Sequence, residues 1–358
     1  MPALDLRADV VELAGALVDT PSVSGEETAL ADAVEAALRG HAPALAVERH
    51  GDAVLARTDL GRPARVLLAG HLDTVPIAGN VPGRRAGDRL YGCGASDMKS
   101  GLAVMLRLAP HAADGEHDLT FCFYDAEEVD AARNGLGRIR RSAPEWLAAD
   151  LAVLMEPTSG TVEAGCQGTL RVAVDLVGRR AHTARAWVGS NAIHAAAGLL
   201  LRLSTFTPRV VEIDGCTYRE GLQAVRIEGG VAGNVVPDAC TIIINHRFAP
   251  DRTVEQSIDA VREALGVEEL RVLDSAPGAL PGLDSPLAQR LVDAVGRPPV
   301  AKLGWTDVSR FAAMGTPALN YGPGDPLLAH MVEESVEVHV IVDAERVMRR
   351  FLGLPAAG

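Results

Sequence analysis

Three short apolar runs constrain this chain most: 65–69 (RVLLA), 119–124 (LTFCFY) and 151–155 (LAVLM). None alternates with polar residues, so each reads as a strand buried on both faces of a sheet. Helical spacing of apolar residues lies around them, at 9–18, 26–38, 100–108 and 134–141. Strands alternating with helices predict an α/β sheet covered on both sides. Further on, 286–295 and 343–352 read as helices and 318–321 as a strand. Open α/β sheets take their ligands beyond the carboxyl ends of the strands. Each apolar run ends there in polar residues: Gly70-His71-Leu72-Asp73, Asp125-Ala126-Glu127-Glu128 and Glu156-Pro157. Two more polar clusters fall in loops: Gly94-Ala95-Ser96-Asp97-Met98-Lys99, and Ala329-His330-Met331 ahead of 336–340.

The texture changes after Gly168. Residues 169–177 (TLRVAVDLV) alternate with period two, as in a strand with one solvated face. A helix at 191–203 follows, then strands at 223–228 and 240–248, a helix at 253–265 and a strand at 270–273. That order, β-α-β-β-α-β, is ferredoxin-like. The expectation is an α/β domain with a central sheet, made of 1–168 and 281–358, with a small α+β domain, 169–280, inserted into it. A chain of 358 residues suits two domains.

The net charge of −13 argues against nucleic acid or an anionic membrane as partner. No apolar stretch approaches the roughly 18–20 residues of a membrane span. The first residues carry acids rather than the basic-then-apolar pattern of a signal peptide. Five dispersed cysteines without a CxxC pair predict a reduced, cytoplasmic protein. Cys93 and Cys166 read as small buried residues rather than nucleophiles.

Taken singly, the polar residues are ambiguous. His71 and Asp73 fit a hydrogen-bonded pair, Asp97 a turn or helix cap, and Glu127-Glu128 a solvated helix start. Together, two histidines and several carboxylates converge on one sheet edge, where like charges raise one another's pKa. A divalent cation removes that cost. Mixed imidazole and carboxylate donors suit zinc, whereas all-oxygen ligation suits Mg²⁺ or Ca²⁺. Five ligands exceed one tetrahedral site. Two metals ~3.5–4 Å apart that share a carboxylate use all five and clamp a water and a substrate oxygen.

The passages GHLDTVP (70–76), YGCGASDMKSG (91–101), AEE (126–128) and EPT (156–158), with EAGCQGTLRV (163–172), AHTARAW (181–187) and AHMVEESV (329–336), resemble the M20 family of zinc aminoacylases and peptidases over nearly the whole chain. The desuccinylase branch of that family is the most similar. The resemblance implies a zinc-hydrolase domain with a mixed sheet and a ferredoxin-like dimerisation (lid) domain. It implies hydrolysis of a small anionic N-acyl amino acid, N-succinyl-LL-2,6-diaminopimelate in that branch or N-acetylornithine in a neighbouring one, by two Zn²⁺ per subunit, with Co²⁺ or Mn²⁺ as substitutes. A binding module without catalysis is the distant alternative.

Residue by residue, the resemblance makes His71 and Glu156 ligands of one metal, Glu128 and His330 ligands of the other, and Asp97 the bridge. Asp73 would orient the His71 ring and Glu127 would be the general base. His182 would stabilise the oxyanion of a partner subunit in a homodimer formed through the inserted domain. Asn234 and Arg247, with Arg185, would bind the substrate carboxylate, and Thr306 and Gly322 lie in loops read as active-site loops of the large domain. The Asp97–Met98 peptide is expected to be cis. Met155 departs from the family pattern, which has glycine before Glu156.

Overall fold

The computed structural model describes residues 4–357. Two compact units divide the chain: Met1–Ala164, Pro281–Val300 and Arg310–Gly358 form the first, and Gly165–Leu280 and Ala301–Ser309 the second.

The first unit is built on an eight-stranded mixed sheet. In spatial order it runs Ala46–His50, Ala53–Arg57, Asp118–Tyr124, Arg65–His71, Leu151–Leu154, Ala318–Asn320 and Glu163–Ala164, with an edge strand starting at Val300. The three apolar runs are its centre. Arg65–His71 pairs in parallel with both Asp118–Tyr124 and Leu151–Leu154, and every residue of those two neighbours is buried. Register then decides where the polar clusters go. His71 lies opposite Tyr124 and Ala69 opposite Leu154, so Asp125–Glu128 and Glu156 leave the sheet at the same edge as His71. The hairpin of Ala46–His50 and Ala53–Arg57 was not anticipated; it joins antiparallel to Asp118–Tyr124 and makes the sheet mixed.

Helices Val10–Val18, Ser100–Leu108 and Val338–Leu352 pack on one another, and Thr28–His41 packs on the first hairpin. The Asp9 carboxylate starts Val10–Val18 by accepting the Val11 N–H at 2.8 Å. The Asn134 side chain does the same for Gly135–Ser142, accepting from Gly137. The last helix starts earlier than expected. Ser335–Glu337 pairs with Arg89–Tyr91, and the chain is helical from Val338 rather than from 343. Buried Ile341, Ala344, Glu345, Met348, Phe351 and Leu352 recur every three to four residues, and burial of that stripe holds the helix.

The second unit carries a four-stranded antiparallel sheet in the order Gly221–Gly229, Ala239–Phe248, Gly168–Val177, Arg271–Ala276. With helices Ala192–Ser204 and Val254–Leu265 this is the ferredoxin-like arrangement. Leu170, Val172, Val174, Ile242 and Ile244 meet Ala196, Leu199, Val261 and Leu265 in its core. Thr253 and Gln256 close a reciprocal capping box on Val254–Leu265. A hairpin of Val210–Ile213 and Cys216–Arg219 is an addition. Its turn, Asp214-Gly215, has both φ positive (49° and 76°), the pattern an Asp-Gly pair favours.

Residues 301–309, expected in the large domain, group with the second unit. The Trp305 indole and the Ser309 hydroxyl both donate to the Pro277 carbonyl, at 3.2 and 2.7 Å, and Gln167 N–H donates to Lys302 O. These long-range bonds have no trace in local sequence.

Candidate active site

At the carboxyl edge of the first unit's sheet, five side chains fall into two overlapping groups. Ligand atoms of His71, Asp97 and Glu156 lie within 4.8 Å of one another, and so do those of Asp97, Glu128 and His330. Asp97 is common to both. Its Oδ1 is 3.1 Å from His71 Nε2 and its Oδ2 is 3.6 Å from His330 Nε2, while His330 Nε2 is 2.8 Å from Glu128 Oε1. Carboxylate oxygens and imidazole nitrogens gathered so closely fit a pair of divalent cations. The Glu127 carboxylate joins His71 and Glu128 within the same span.

Each member is held by its backbone. His71 ends its strand and is buried. Its Nδ1 lies 3.0 Å from the Asp73 carbonyl and 3.5 Å from Asp73 Oδ1. The hydrogen bond that fixes the tautomer therefore goes to the main chain, and Nε2 is left facing Asp97. The Asp73 carboxylate, beside the same ring nitrogen, has further partners. Fully buried, it accepts the N–H groups of Glu127 and Glu128, both at 3.0 Å, and the Ser24 hydroxyl at 2.7 Å. It thereby ties the turn bearing Glu127 and Glu128 to the strand bearing His71.

The Glu27 carboxylate, also buried, accepts the Ala126 N–H in that turn, where Ala126 has φ 57°. His330 has φ 65°, a left-handed conformation unusual for a side chain of this size. Asp97 sits in the tight turn Ala95–Lys99, and its peptide bond to Met98 is cis. Met155, fully buried, packs where Gly101 has no side chain; a Cβ on Gly101 would stand 2.3 Å from the Met155 carbonyl. Gly322 is equally confined: a Cβ there would lie 2.4 Å from the same carbonyl, and its N–H donates to Thr158 Oγ1.

The electrostatics follow from this crowding. Burial alone would raise Asp97, but hydrogen bonds to His330 and His71 hold it well below the usual carboxylate range. Burial likewise opposes ionisation of Asp73, yet His71 and the two N–H donors bring it to about 2. His330 is raised to about 9, first by its hydrogen bond to Asp97 and also by Glu128. His71 is raised well above normal because Asp73 and Asp97 outweigh its burial.

Imidazole binds metal only when neutral. A folded-state pKa of about 9 against an ordinary 6.5 means that the protonated His330 stabilises the metal-free protein below 6.5. That contribution is lost as pH rises through 9. Metal loading at pH 7 is therefore expected to release at least one proton per chain, and the part of that release that comes from His330 should shrink as pH rises through 9. Calorimetry of zinc binding in buffers of different ionisation enthalpy checks this, and a buffer-independent heat at pH 7 would contradict it.

The remaining predicted residues lie in the second unit. His182 and Asn234 are neighbours there: Ala181–His182 pairs with Val235–Val236, and Thr183 N–H donates to Asn234 O at 3.0 Å. His182, Arg185 and Asn234 are exposed. Arg247 is half-buried in Ala239–Phe248, its pKa lowered by burial. Thr306 is buried, its carbonyl 3.8 Å from Cys166 Sγ. Burial raises the Cys166 thiol to about 11 and pushes Cys93 up as well, so neither is primed as a nucleophile. Sequence reading passed over Glu27 and Glu334. Glu334 lies in the quoted passage 329–336 and Glu27 near the start of a segment read as a helix, and nothing in the local sequence marks either as buried.

Comparison with known proteins agrees with this architecture. The model of peptidase family M20/M25/M40 matches residues 67–353. A Mycobacterium tuberculosis protein, provisionally named a succinyl-diaminopimelate desuccinylase, is 58% identical over 352 residues, covering 98% of this chain and 99% of the relative. The succinyl-diaminopimelate desuccinylase of Corynebacterium glutamicum is 50% identical over 361 residues, covering 98% of each. The crystal structure of an M20 family metallo-carboxypeptidase from Sulfolobus solfataricus has the same fold, with a TM-score of 0.75 at 16% identity over 97% of this chain and 99% of that one. The chain belongs to peptidase family M20/M25/M40.

Proposed function

We propose that this enzyme is a two-zinc amidohydrolase that cleaves N-succinyl-LL-2,6-diaminopimelate to succinate and LL-2,6-diaminopimelate. The observation that carries the chemistry is the pair of ligand groups sharing Asp97, with the Glu127 carboxylate beside them. The choice of acyl amino acid rests on the two relatives of 58% and 50% identity, which match end to end.

His71, Asp97 and Glu156 would hold one ion and Asp97, Glu128 and His330 the other. When bound, the pair would polarise the amide carbonyl and acidify the attacking water. Glu127 takes the proton from that water and returns it to the amine nitrogen as the C–N bond breaks. Asp73 and Glu27 hold the turn that aims Glu127. In the second unit, His182 Nδ1 accepts the Ala184 N–H at 3.0 Å, which leaves Nε2–H free to donate to an oxyanion. Arg247, whose guanidinium has no hydrogen-bond or ion-pair partner among the described residues, suits a substrate carboxylate, and Asn234 and Arg185 are assigned to the same task.

The proposal includes a homodimer through the inserted domain. Exposed Ile193, Leu200 and Leu201 on Ala192–Ser204 and Val225 and Ile227 on the edge strand Gly221–Gly229 favour it, because that helix packs on that strand. His182 then serves the partner's site. His182→Ala is expected to lower kcat by roughly 10²–10³-fold with metal content unchanged. An unchanged kcat, or a fully active monomer in sedimentation, would remove this role.

The deciding experiment is a panel of N-succinyl and N-acetyl amino acids with the zinc-loaded protein. N-succinyl-LL-2,6-diaminopimelate is expected to show the highest kcat/KM. A higher value for N-acetylornithine would overturn the substrate, and no hydrolysis at all would overturn the enzyme reading.

A further inference from the structure

Glu334 is a buried acid with no part in the mechanism above. Only 2% of it is exposed. Its carboxylate gathers three main-chain donors from one loop: Oε1 accepts the N–H groups of Ser96 and Asp97, and Oε2 accepts that of Gly94, each at 2.9 Å. Its own carbonyl accepts the Gly92 N–H at 3.0 Å. The turn that carries Asp97 is thus wrapped around one side chain. That side chain belongs to the segment that carries His330, four residues earlier, and Glu334 N–H donates to Met331 O to close the intervening turn.

We infer that Glu334 is a positioning residue that clasps the Asp97 loop to the His330 loop and so sets the spacing of the shared metal ligand. The inference rests on the metal-centre reading proposed above.

The physical argument is one of acceptors. Gly94, at φ 80°, opens a turn in which the N–H groups of Gly94, Ser96 and Asp97 converge on one point, while that of Ala95 goes to the Gly92 carbonyl. Buried donors need acceptors. One carboxylate, with two oxygens and about four lone-pair sites, can serve three converging donors, whereas no neutral side chain can. With that acceptor removed the turn must rebuild to find others, and Asp97 moves with it. Oδ1 and Oδ2 of Asp97 now stand 3.1 and 3.6 Å from His71 Nε2 and His330 Nε2, so a small shift unbalances both ligand groups at once. Glutamine is the discriminating substitution. It keeps the shape and one oxygen, but presents an NH₂ group to a backbone N–H.

The test compares full-length wild type with Glu334→Gln, measuring zinc affinity by competition with a chromogenic chelator, and kcat and KM separately. Affinity for at least one zinc is expected to fall roughly 10- to 100-fold, the range for groups that orient metal ligands. The kcat should fall with it, and KM should change little. A variant that melts at lower temperature yet binds both zinc ions with wild-type affinity would reduce Glu334 to a structural residue and overturn the inference. If Glu334→Gln does not fold, hydrogen exchange of the metal-free wild type decides. Amides of Gly94, Ser96 and Asp97 exchanging as slowly as those of Arg65–His71 support the clasp, and rapid exchange overturns it. A wild type that binds two zinc ions but hydrolyses no acyl amino acid would sink the proposed reaction, and zinc competition would still decide the clasp.

Discussion

Glu127→Ala is expected to lower kcat by roughly 10²–10⁴-fold, the usual worth of a general base, while bound zinc stays at two per chain. The turn that carries Glu127 also carries Glu128, and the two N–H groups that fix it both go to Asp73, so truncating one side chain leaves the backbone anchored. Glu128 Oε1 keeps its place 2.8 Å from His330 Nε2. Metal analysis beside steady-state kinetics gives the answer. Loss of one zinc in this variant would mean that base and ligand had been exchanged between the two glutamates, and full activity would remove Glu127 from the chemistry altogether.

Asp97→Ala is expected to act on the metals themselves. Asp97 is the one member common to both ligand groups, and its two oxygens face two different histidines. Without it each group keeps two of its three donors, and the positive charge of two close cations loses the carboxylate between them. Bound zinc should fall below two per chain. The lost polarisation of the substrate, worth several kcal/mol, corresponds to a drop in kcat/KM of about 10³-fold or more. The metal-free variant should differ from the metal-free wild type in a second way. His330 owes its raised pKa first to Asp97, so its titration should move down from about 9 toward the ordinary value, a shift that NMR of the ring protons can follow. Two tightly bound zinc ions in Asp97→Ala would show that Asp97 is no bridge.

Much of this architecture was legible along the chain because it depends on local pattern. Unbroken apolar runs mark strands buried on both faces, and the polar residues directly after each run must emerge at the strand's end. The period-two texture after Gly168 separated the inserted ferredoxin-like sheet from the rest. Where patterns competed, tertiary partners decided. The last helix begins at Val338 rather than at 343, directly after Ser335–Glu337 has paired with another strand, and the buried stripe from Ile341 onward holds it.

The same division runs through the active site. Residue identity, the conjunction of histidines with carboxylates at strand ends, and so the kind of chemistry are properties of the sequence, because a strand's last residue and the few beyond it share a fixed direction. Distances are not. That Asp97 reaches both histidines, and that Asp73, Glu27 and Glu334 spend their charge on backbone N–H groups of the loops, follow from contacts across 26 to 240 positions of chain. No local pattern encodes such contacts. They exist only once parallel register has brought three strand ends to one edge, where each buried donor must find an acceptor.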